Sequence, residues 1–316
     1  MRKRCIYMET IVPQEQLQQL LQHTFGTRAE IIDCQIANRQ HDYLVLLLQL
    51  RRPSIDVVVK LAGPEASMAG SFDRTAMLHH LVATQTSIPM PEVLAVNMSY
   101  HDWPWRYLIK THIPGQEWAM VRGQMNMEEL SDAYRQIGSA IAQLHAIHFP
   151  GFGELAGDGS VQGDESYFPA LAKHARSIIQ SAQWRELFTS LLEKQEPLFR
   201  DIRQAGLCHE DLHGHNLLFQ KKQGQWRLAT ILDFEKAWAG HHETDLARLD
   251  LWKGMTSEAF WQAYQADGLI EPMYQQRRPI YQFLWCLEYA RPTAEHLADT
   301  QHLCAELGLP RLEQFD

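Results

Sequence analysis

Two short polar stretches decide the fold: Leu207-Cys-His209-Glu-Asp211-Leu-His-Gly-His-Asn216-Leu-Leu-Phe219 and, further along, Ile231-Leu-Asp233-Phe-Glu235. Asn216 follows Asp211 by five residues, and Asp233 follows it by twenty-two. Each of these polar side chains stands at the edge of a short apolar segment, which can hold it rigidly while its head group stays accessible. Two apolar runs around Lys221-Lys-Gln-Gly-Gln225 predict a β-hairpin between the stretches.

These residue types suit phosphoryl transfer, in which positioning and charge neutralisation supply most of the catalysis. A carboxylate such as that of Asp211 can orient an attacking hydroxyl and accept its proton. Asn216 and Asp233 offer the oxygen ligands that Mg²⁺ prefers. The phosphates also need a lysine, and Lys60 stands at the end of a predicted strand in the first part of the chain. The set therefore predicts a kinase-type reaction.

The same motifs resemble those of the aminoglycoside phosphotransferase and choline kinase-like family, the small-molecule relatives of protein kinases. The loop from His209 to Asn216 resembles the family pattern H-G-D-L-x-x-x-N, and Ile231 to Glu235 resembles its I-D-F/W-E segment. Asp245-Leu-Ala247 resembles the D-L-A that follows. Two upstream stretches, Ile88 to Leu94 and Ala142 to Gly153, are also similar, so the resemblance covers residues 30–307.

The resemblance implies an α+β, protein kinase-like bilobal fold. Residues 1–112, which contain short runs rich in Ile, Val and Leu, would form a small antiparallel-sheet lobe that binds nucleotide. Residues 113–316 would form a larger, mostly helical lobe for catalysis and acceptor binding. The implied enzyme is a phosphotransferase with an alcohol group as acceptor, and it uses ATP or GTP together with Mg²⁺.

The family also implies a role for each matching residue. Asp211 would orient the acceptor hydroxyl and act as the base, and His209 would brace the catalytic loop. Asn216 and Asp233 would hold Mg²⁺, and Lys60 would contact the α- and β-phosphates. The remaining nucleotide-binding candidates form a hinge whose backbone would face the adenine: Lys110, Thr111, His112 and Ile113.

The sequence departs from the family pattern in three places. The segment from Ile36 to Tyr43, between the first two predicted strands, contains no glycine, so its side chains would have to contact phosphate instead. The acid that would pair with the lysine is Asp73, with Glu65 as an alternative. Glu210 replaces the usual glycine before the catalytic aspartate, and its carboxylate is a candidate contact for a cationic acceptor, as is that of Glu235.

The charge is distributed unevenly along the chain. The formal net charge of −9 divides into +1 for residues 1–112 (11 basic, 10 acidic) and −10 for residues 113–316 (18 basic, 28 acidic). This balance excludes a general nucleic-acid binder. It favours an amino-bearing acceptor of the aminoglycoside antibiotic type, hence antibiotic resistance, over a metabolite such as an amino alcohol or a sugar. Further acids support this preference, two near the motifs and three on the predicted C-terminal helices: Glu243 and Asp250, and Asp267, Glu271 and Glu288.

Cysteine usage and hydropathy bear on the compartment. The five cysteines include no C-x-x-C pair, which indicates free thiols in a reducing cytoplasm rather than a disulfide framework or a thiolate zinc site. The longest apolar run, Tyr43–Leu48, is far shorter than the roughly 18 residues that a membrane helix needs. The sequence predicts a cytoplasmic monomer or homodimer without a membrane partner.

Two other functions stay open from the sequence. His209 and Asp211 with a later histidine could form an iron site, and His213 with His215 could bind zinc. A kinase fold that binds a ligand without transferring phosphate is the second alternative, because the glycine loop is missing and the helix acid is short. The combined presence of the lysine, the loop aspartate and both candidate metal ligands argues for transfer.

Overall fold

The structure, a computed structural model, describes residues 12–66, 71–268 and 270–315. The chain divides into two compact units. Among the described residues, the first unit contains those up to Thr84, residues 89–114 and the short segment 157–159. The second contains residues 85–88, 115–156 and those from 160 onward. The boundary expected between residues 112 and 113 lies two residues before the observed change of unit at 114/115.

The first unit is built on an antiparallel sheet with strand order β1-β2-β3-β5-β4. Alternation along β2 points Leu46 and Leu48 to one face, where Leu17 and Leu20 of the first helix cover them. The elements described in this unit are α1 (Gln14–Phe25), β1 (Glu30–Gln40), β2 (Tyr43–Arg51), β3 (Ile55–Ala62), α2 (Phe72–Gln85), β4 (Val93–Asn97) and β5 (Arg106–Thr111).

The second unit is mostly helical. Its described elements are β6 (Gln116–Glu117), α3 (Trp118–Val121), α4 (Met127–His145), β7 (His148–Phe149), β8 (Phe152–Leu155), β9 (Val161–Asp164), α5 (Tyr167–Ile178), α6 (Ala182–Lys194), β10 (Ala205–Cys208), β11 (Leu217–Lys222), β12 (Gln225–Ile231), β13 (Trp238–Gly240), α7 (Glu243–Leu251), α8 (Glu258–Asp267), α9 (Tyr274–Tyr289) and α10 (Ala294–Glu306). The 3-10 turns are Arg122–Gln124, Glu196–Leu198 and Phe234–Lys236.

Local sequence explains the long helix α4. Asn126 accepts the backbone N–H groups of Glu128 and Glu129, and the Glu129 side chain accepts the Asn126 N–H, which completes a capping box. Along the helix, Ile137, Ile141 and Leu144 form the buried face. A Cβ atom at Gly138 would lie 2.4 Å from the Phe260 carbonyl oxygen, so the absence of a side chain lets α8 approach closely.

The predicted hairpin is present, and it is the element that carries the motif. Strands β11 and β12 pair antiparallel from Leu217 opposite Ile231 to Lys222 opposite Gln225. A sheet of short strands in the order β7-β10-β13-β8-β9 was not predicted, because strands of two to four residues are too short to show a hydrophobic period. The α+β class is confirmed. Among the described helices, none is long and apolar enough to cross a bilayer.

Candidate active site

One buried carboxylate fixes the start of the catalytic loop where β10 ends. Asp245, in the first turn of α7, is fully buried, and its oxygens accept the backbone N–H groups of His209 at 2.6 Å and Glu210 at 2.9 Å. The Nε2 of His145 lies 3.2 Å from the same carboxylate. Burial alone would raise the pKa of Asp245, but the hydrogen bonds from His145 and from the loop lower it. Asp245 is therefore an anionic anchor for the loop.

His209 braces the loop through both of its ring nitrogens. Its Nδ1 accepts the Asp211 backbone N–H at 3.2 Å, which leaves Nε2 to donate to the Leu232 carbonyl oxygen at 2.8 Å. Burial lowers the pKa of His209 despite the carboxylates nearby, so the ring is neutral. These contacts make His209 a positioning residue, and they tie the catalytic loop to the end of the hairpin.

Asp211 has one oxygen surrounded by donors. Its Oδ1 accepts hydrogen bonds from Arg248 at 2.9 Å and from the Tyr289 hydroxyl at 2.6 Å, and the Lys236 ammonium lies 3.6 Å away. Its Oδ2 lies 3.5 Å from the amide nitrogen of Asn216. Burial alone would raise the pKa of Asp211, but the charges of Arg248 and Lys236 hold it below its ordinary value. Oδ2 is the oxygen better placed to accept a hydroxyl proton.

Sequence reasoning missed Arg248 and Tyr289. Arg248 is fully buried and follows Asp245 by three residues on α7, so both side chains lie on the helix face toward the loop. The three-residue spacing from Asp245 is a local sequence signal from which a role for Arg248 beside the loop could have been predicted. Tyr289 lies at the end of α9, seventy-eight residues from Asp211, and no local pattern connects the two.

The two candidate metal ligands lie side by side at the open end of the hairpin. The Leu232 N–H donates to the Asn216 carbonyl oxygen at 2.8 Å, which places Asp233 next to Asn216 across the two strands. The Asn216 amide nitrogen donates to the Asp211 carbonyl oxygen at 2.9 Å, so its side-chain oxygen is the atom left for a cation. Asp233 is exposed and has a positive φ of 66°, which turns the chain sharply after β12. An amide and a carboxylate oxygen form a donor set that fits Mg²⁺.

The 3-10 turn Phe234–Lys236 follows Asp233 directly. The Phe234 ring packs against the His209 ring with centroids 4.5 Å apart, which anchors the turn to the catalytic loop. Glu235 is half-buried on this turn. Lys236 is 44% exposed and reaches both Asp211 and Glu288. The turn thus places one acid and one cation beside the loop.

Glu210 does not lie where the sequence analysis placed it. Its side chain is 2% exposed, and its carboxylate accepts a hydrogen bond from the Thr244 hydroxyl at 2.8 Å and pairs with His174 at 3.1 Å. Its backbone has a φ of 64°, the left-handed conformation that a glycine would adopt without strain. Because the carboxylate is buried and used inside the unit, we no longer assign Glu210 to the acceptor.

In the first unit, Lys60 and Lys110 share the side of the sheet toward α2. Lys60 pairs with Leu108 in the β3–β5 register and Val58 pairs with Lys110, so the lysines are diagonal neighbours on one face. His79 of α2 is buried there; burial and then the charges of Lys110 and Lys60 hold the pKa of His79 well below its ordinary value. The predicted helix residue on this face was Asp73, and the structure brings His79 to the lysines.

The two acids proposed as lysine partners have other contacts. Asp73 accepts hydrogen bonds from the Ser71 hydroxyl and from the backbone N–H of the residue that follows it. Glu65 lies 3.1 Å from His41, and both side chains are exposed. The hinge donors are also partly used, because the N–H of Thr111 donates to Glu92 and that of His112 donates to Asp56, each at 2.9 Å.

The geometry argues against the iron or zinc alternative. Both ring nitrogens of His209 are engaged with the backbone, so it cannot serve as a metal ligand in this arrangement. Among the described residues, the ligand atoms of His241, His242 and Glu243 come together, whereas His213 and His215, proposed for zinc, belong to no such group. However, Glu243 forms a two-pronged ion pair with Arg277 at 2.7 and 2.8 Å, and His241 bonds the Tyr281 hydroxyl at 2.9 Å. This cluster is an internal ion network.

The family profile of the phosphotransferase enzyme family (APH) matches residues 34–280. The chain belongs to this family. It is therefore a phosphotransferase that acts on hydroxyl groups of small molecules, and the resemblance read from the catalytic loop is confirmed. A comparison with curated proteins finds no match.

Solved structures of other phosphotransferases share the protein kinase-like fold. A putative aminoglycoside phosphotransferase from Ralstonia eutropha aligns over 95% of this chain and 92% of its own, with TM-score 0.61 and 14% identity. The gentamicin complex of APH(2″)-IIa aligns over 95% and 97%, with TM-score 0.57 and 15% identity. The ethanolamine kinase of Plasmodium vivax aligns over 93% and 85%, with TM-score 0.55 and 14% identity. At these identities the similarity shows the fold.

Proposed function

We propose that this phosphotransferase transfers the γ-phosphoryl group of ATP to a hydroxyl of an amino-bearing small molecule. The observation that carries the proposal is the geometry of Asp211: one oxygen is held by Arg248 and Tyr289, and the other lies beside the Asn216–Asp233 pair. A carboxylate fixed in this way can hold an acceptor hydroxyl at the point where a metal-bound phosphate would be presented. GTP is a second nucleotide to test.

In this mechanism Asp211 orients the hydroxyl first and takes its proton late. Because Arg248 and Lys236 lower its pKa, Asp211 is a weak base before reaction. The acceptor hydroxyl becomes acidic only as its oxygen bonds to phosphorus, so a weak, well-oriented base is sufficient. His209 and Asp245 keep the loop backbone fixed while this happens.

Asn216 and Asp233 are the residues that would hold Mg²⁺, since they are neighbours across the hairpin and their side-chain oxygens suit a hard cation. When bound, the ion would neutralise charge on the nucleotide phosphates. In the first unit, Lys60 would contact the α- and β-phosphates, with Lys110 beside it on the same sheet face. The Ile113 N–H and the backbone carbonyls of Lys110, Thr111 and His112 would face the base. A cytoplasmic location, where ATP is plentiful, is part of this proposal.

The acidic composition overstates how many carboxylates could bind a cationic acceptor. Ion pairs inside the second unit occupy four of the acids that favoured a cation, because Glu243 and Glu271 bind Arg277, Asp250 binds Arg278, and Glu288 binds Lys236. Glu235, half-buried on the turn after Asp233, is our candidate contact for an acceptor ammonium group. Support for an amino-bearing acceptor also comes from neighbours of the same fold, whose names include an ethanolamine kinase, an aminopropanol kinase and a gentamicin-bound enzyme.

The test is a coupled assay of nucleotide turnover across aminoglycosides, amino alcohols, macrolides and sugars, with ATP and GTP and with Mg²⁺ present or chelated. We expect turnover that depends on Mg²⁺ and on one amino-bearing acceptor, and we propose an aminoglycoside-type antibiotic before a small amino alcohol. Asp211→Asn serves as the inactive control. Turnover that persists undiminished in Asp211→Asn would overturn the catalytic assignment, and a neutral sugar as best acceptor would overturn the acceptor class. Nucleotide binding without turnover on any acceptor would favour the ligand-binding alternative.

A further inference from the structure

Lys236 is a cation beside the carboxylate that we assign to the acceptor hydroxyl. Its ammonium lies 3.6 Å from Asp211 Oδ1, 2.8 Å from Glu288 Oε1 and 3.4 Å from the Tyr289 hydroxyl. It also sits 4.9 Å above the centre of the Tyr289 ring. Its side chain is 44% exposed, so the surrounding protein does not enclose it. A lysine end with this freedom can move by several ångströms through rotation of its side-chain bonds.

If Lys236 leaves these contacts, the carboxylates of Glu288 and Asp211 each still have a cation nearby. Glu288 has a second cation, since Arg248 Nη1 lies 3.5 Å from its other oxygen. Asp211 Oδ1 likewise keeps its hydrogen bonds from Arg248 and Tyr289. Arg248 has no such freedom, because it is fully buried and also donates to the Glu210 carbonyl oxygen at 2.6 Å. The mobile cation at this carboxylate is therefore Lys236.

The reaction needs a cation at this position. A hydroxyl held by Asp211 has its oxygen about 3 Å from the carboxylate, and in-line attack brings phosphorus to about 3 Å from that oxygen. The transferred group carries negative charge on three equatorial oxygens, and positive charge near those oxygens stabilises the transition state. An ammonium that starts 3.6 Å from Asp211 is within reach of that group.

We propose that Lys236 is a catalytic residue whose ammonium moves from Glu288 onto the transferred phosphoryl group. The inference rests on the proposed kinase function. In the step it assists, a bond forms between the acceptor oxygen and the γ-phosphorus, and the bond from the γ-phosphorus to the bridging oxygen breaks. The hydroxyl proton passes to Asp211 and the nucleoside diphosphate leaves. Lys236 keeps its proton throughout, and the carboxylates of Glu288 and Asp211 keep its pKa raised, although burial alone would lower it.

The test compares Lys236→Met and Lys236→Arg with the wild type. We expect the methionine variant to lose about 100-fold to 1,000-fold in kcat with little change in KM for nucleotide or acceptor, and arginine to restore part of the loss. The matched control is Lys253→Met, which removes a lysine from another ion pair, that with Glu295 at 2.6 Å, and should keep wild-type kinetics. An unchanged kcat, or a change confined to acceptor KM, would overturn the proposal.

A binding measurement tests the proposal without a known acceptor. The wild type should bind ADP, Mg²⁺ and aluminium fluoride, which imitates the transferred phosphoryl group, more tightly than ADP and Mg²⁺ alone. Lys236→Met should lose that extra affinity and keep the affinity for ADP. Equal loss in both complexes, or no loss in either, would refute the role of Lys236. Failure of the wild type to bind ADP would instead refute the proposed function itself.

Discussion

The buried pair of Glu210 and His174 predicts a stability that falls as the pH rises. His174 is buried and stacks on Trp238 with ring centroids 4.1 Å apart. Burial alone would lower the pKa of His174, but Glu154 and Glu210 raise it from 6.5 to about 9. Glu210 Oε2 lies 3.1 Å from Nε2, and Glu154 Oε1 lies 3.7 Å from Nδ1. The ring is therefore an imidazolium held between two carboxylates at neutral pH.

The raised pKa of His174 determines both the magnitude and the sign of the change in folding stability with pH. A pKa raised from 6.5 to about 9 corresponds to about 3–4 kcal/mol of folding free energy, at about 1.4 kcal/mol for each unit. This contribution is complete below the unfolded-state pKa of 6.5 and is lost as the pH rises through about 9. Removing one partner of a buried ion pair costs about 3–5 kcal/mol, so Glu210→Gln should lose a similar amount at pH 6.

The assay is urea unfolding between pH 6 and pH 10 for the wild type, Glu210→Gln and His174→Gln. The free energy of unfolding of the wild type should fall towards that of each variant across this range, because His174 loses its positive charge at high pH and no longer pairs with the Glu210 carboxylate. Glu295→Gln, which breaks an exposed pair with Lys253, is the control and should run parallel to the wild type. Histidine ring NMR should show one midpoint near 9 that is absent from His174→Gln. Parallel curves for Glu210→Gln and wild type would refute the reasoning.

A comparison at the same position separates the backbone from the side chain. Glu210 has a φ of 64°, so alanine there keeps the unfavourable left-handed backbone and glycine does not. Both substitutions remove the ion pair equally. We expect Glu210→Gly to be about 1–2 kcal/mol more stable than Glu210→Ala in the same urea assay. Equal stabilities would show that the backbone of this loop relaxes when the side chain is removed.

Three further variants test the site. Arg248→Met should raise the pKa of Asp211, because it removes the nearest cation. The acidic limb of the kcat/KM profile should therefore move to higher pH. An unmoved limb would show that a group other than Asp211 sets it. Asp233→Asn should raise the Mg²⁺ concentration needed for half-maximal turnover, and an unchanged requirement would remove Asp233 from the metal site. Asp245→Asn should lower kcat about 100-fold and destabilise the protein, since the backbone N–H groups of His209 and Glu210 lose an anionic acceptor. Wild-type turnover would show that the catalytic loop keeps its conformation without this carboxylate.

The sequence predicts those parts of the site whose residues lie close together in the chain or at the two ends of one hairpin. Asn216 and Asp233 lie at the paired ends of β11 and β12, so the hairpin alone brings these two together, and the five-residue spacing lets the Asn216 side chain bond the Asp211 backbone. The strands of the first unit and the long helices were also predictable, because each is long enough to show its hydrophobic period. The match to the phosphotransferase enzyme family over residues 34–280 agrees with that reading.

The parts that could not be predicted come from contacts across the fold. Tyr289 reaches Asp211 from α9, and His174 reaches Glu210 from α5, and neither pairing leaves a pattern in the sequence. His79 meets the lysines because of how α2 packs on the sheet, whereas the sequence could supply only the acids present, such as Asp73. The prediction that Glu210 contacts the acceptor failed for the same reason. The sequence around an acid next to a catalytic aspartate does not show whether its carboxylate faces solvent or the interior.

The internal ion pairs change what the net charge of −9 means for the acceptor. Arg277, Arg278 and Lys236 neutralise Glu243, Asp250 and Glu288 inside the second unit, so most acids near the motif act on the fold rather than on a ligand. At Asp211 the charges are mixed, with two cations within 3.6 Å of a single oxygen. Our proposed acceptor contact therefore depends on local geometry, and it is the half-buried Glu235 on the turn after Asp233. Overall acidity then predicts the partner poorly, and Glu235→Gln should shift acceptor preference more than any change of surface charge elsewhere.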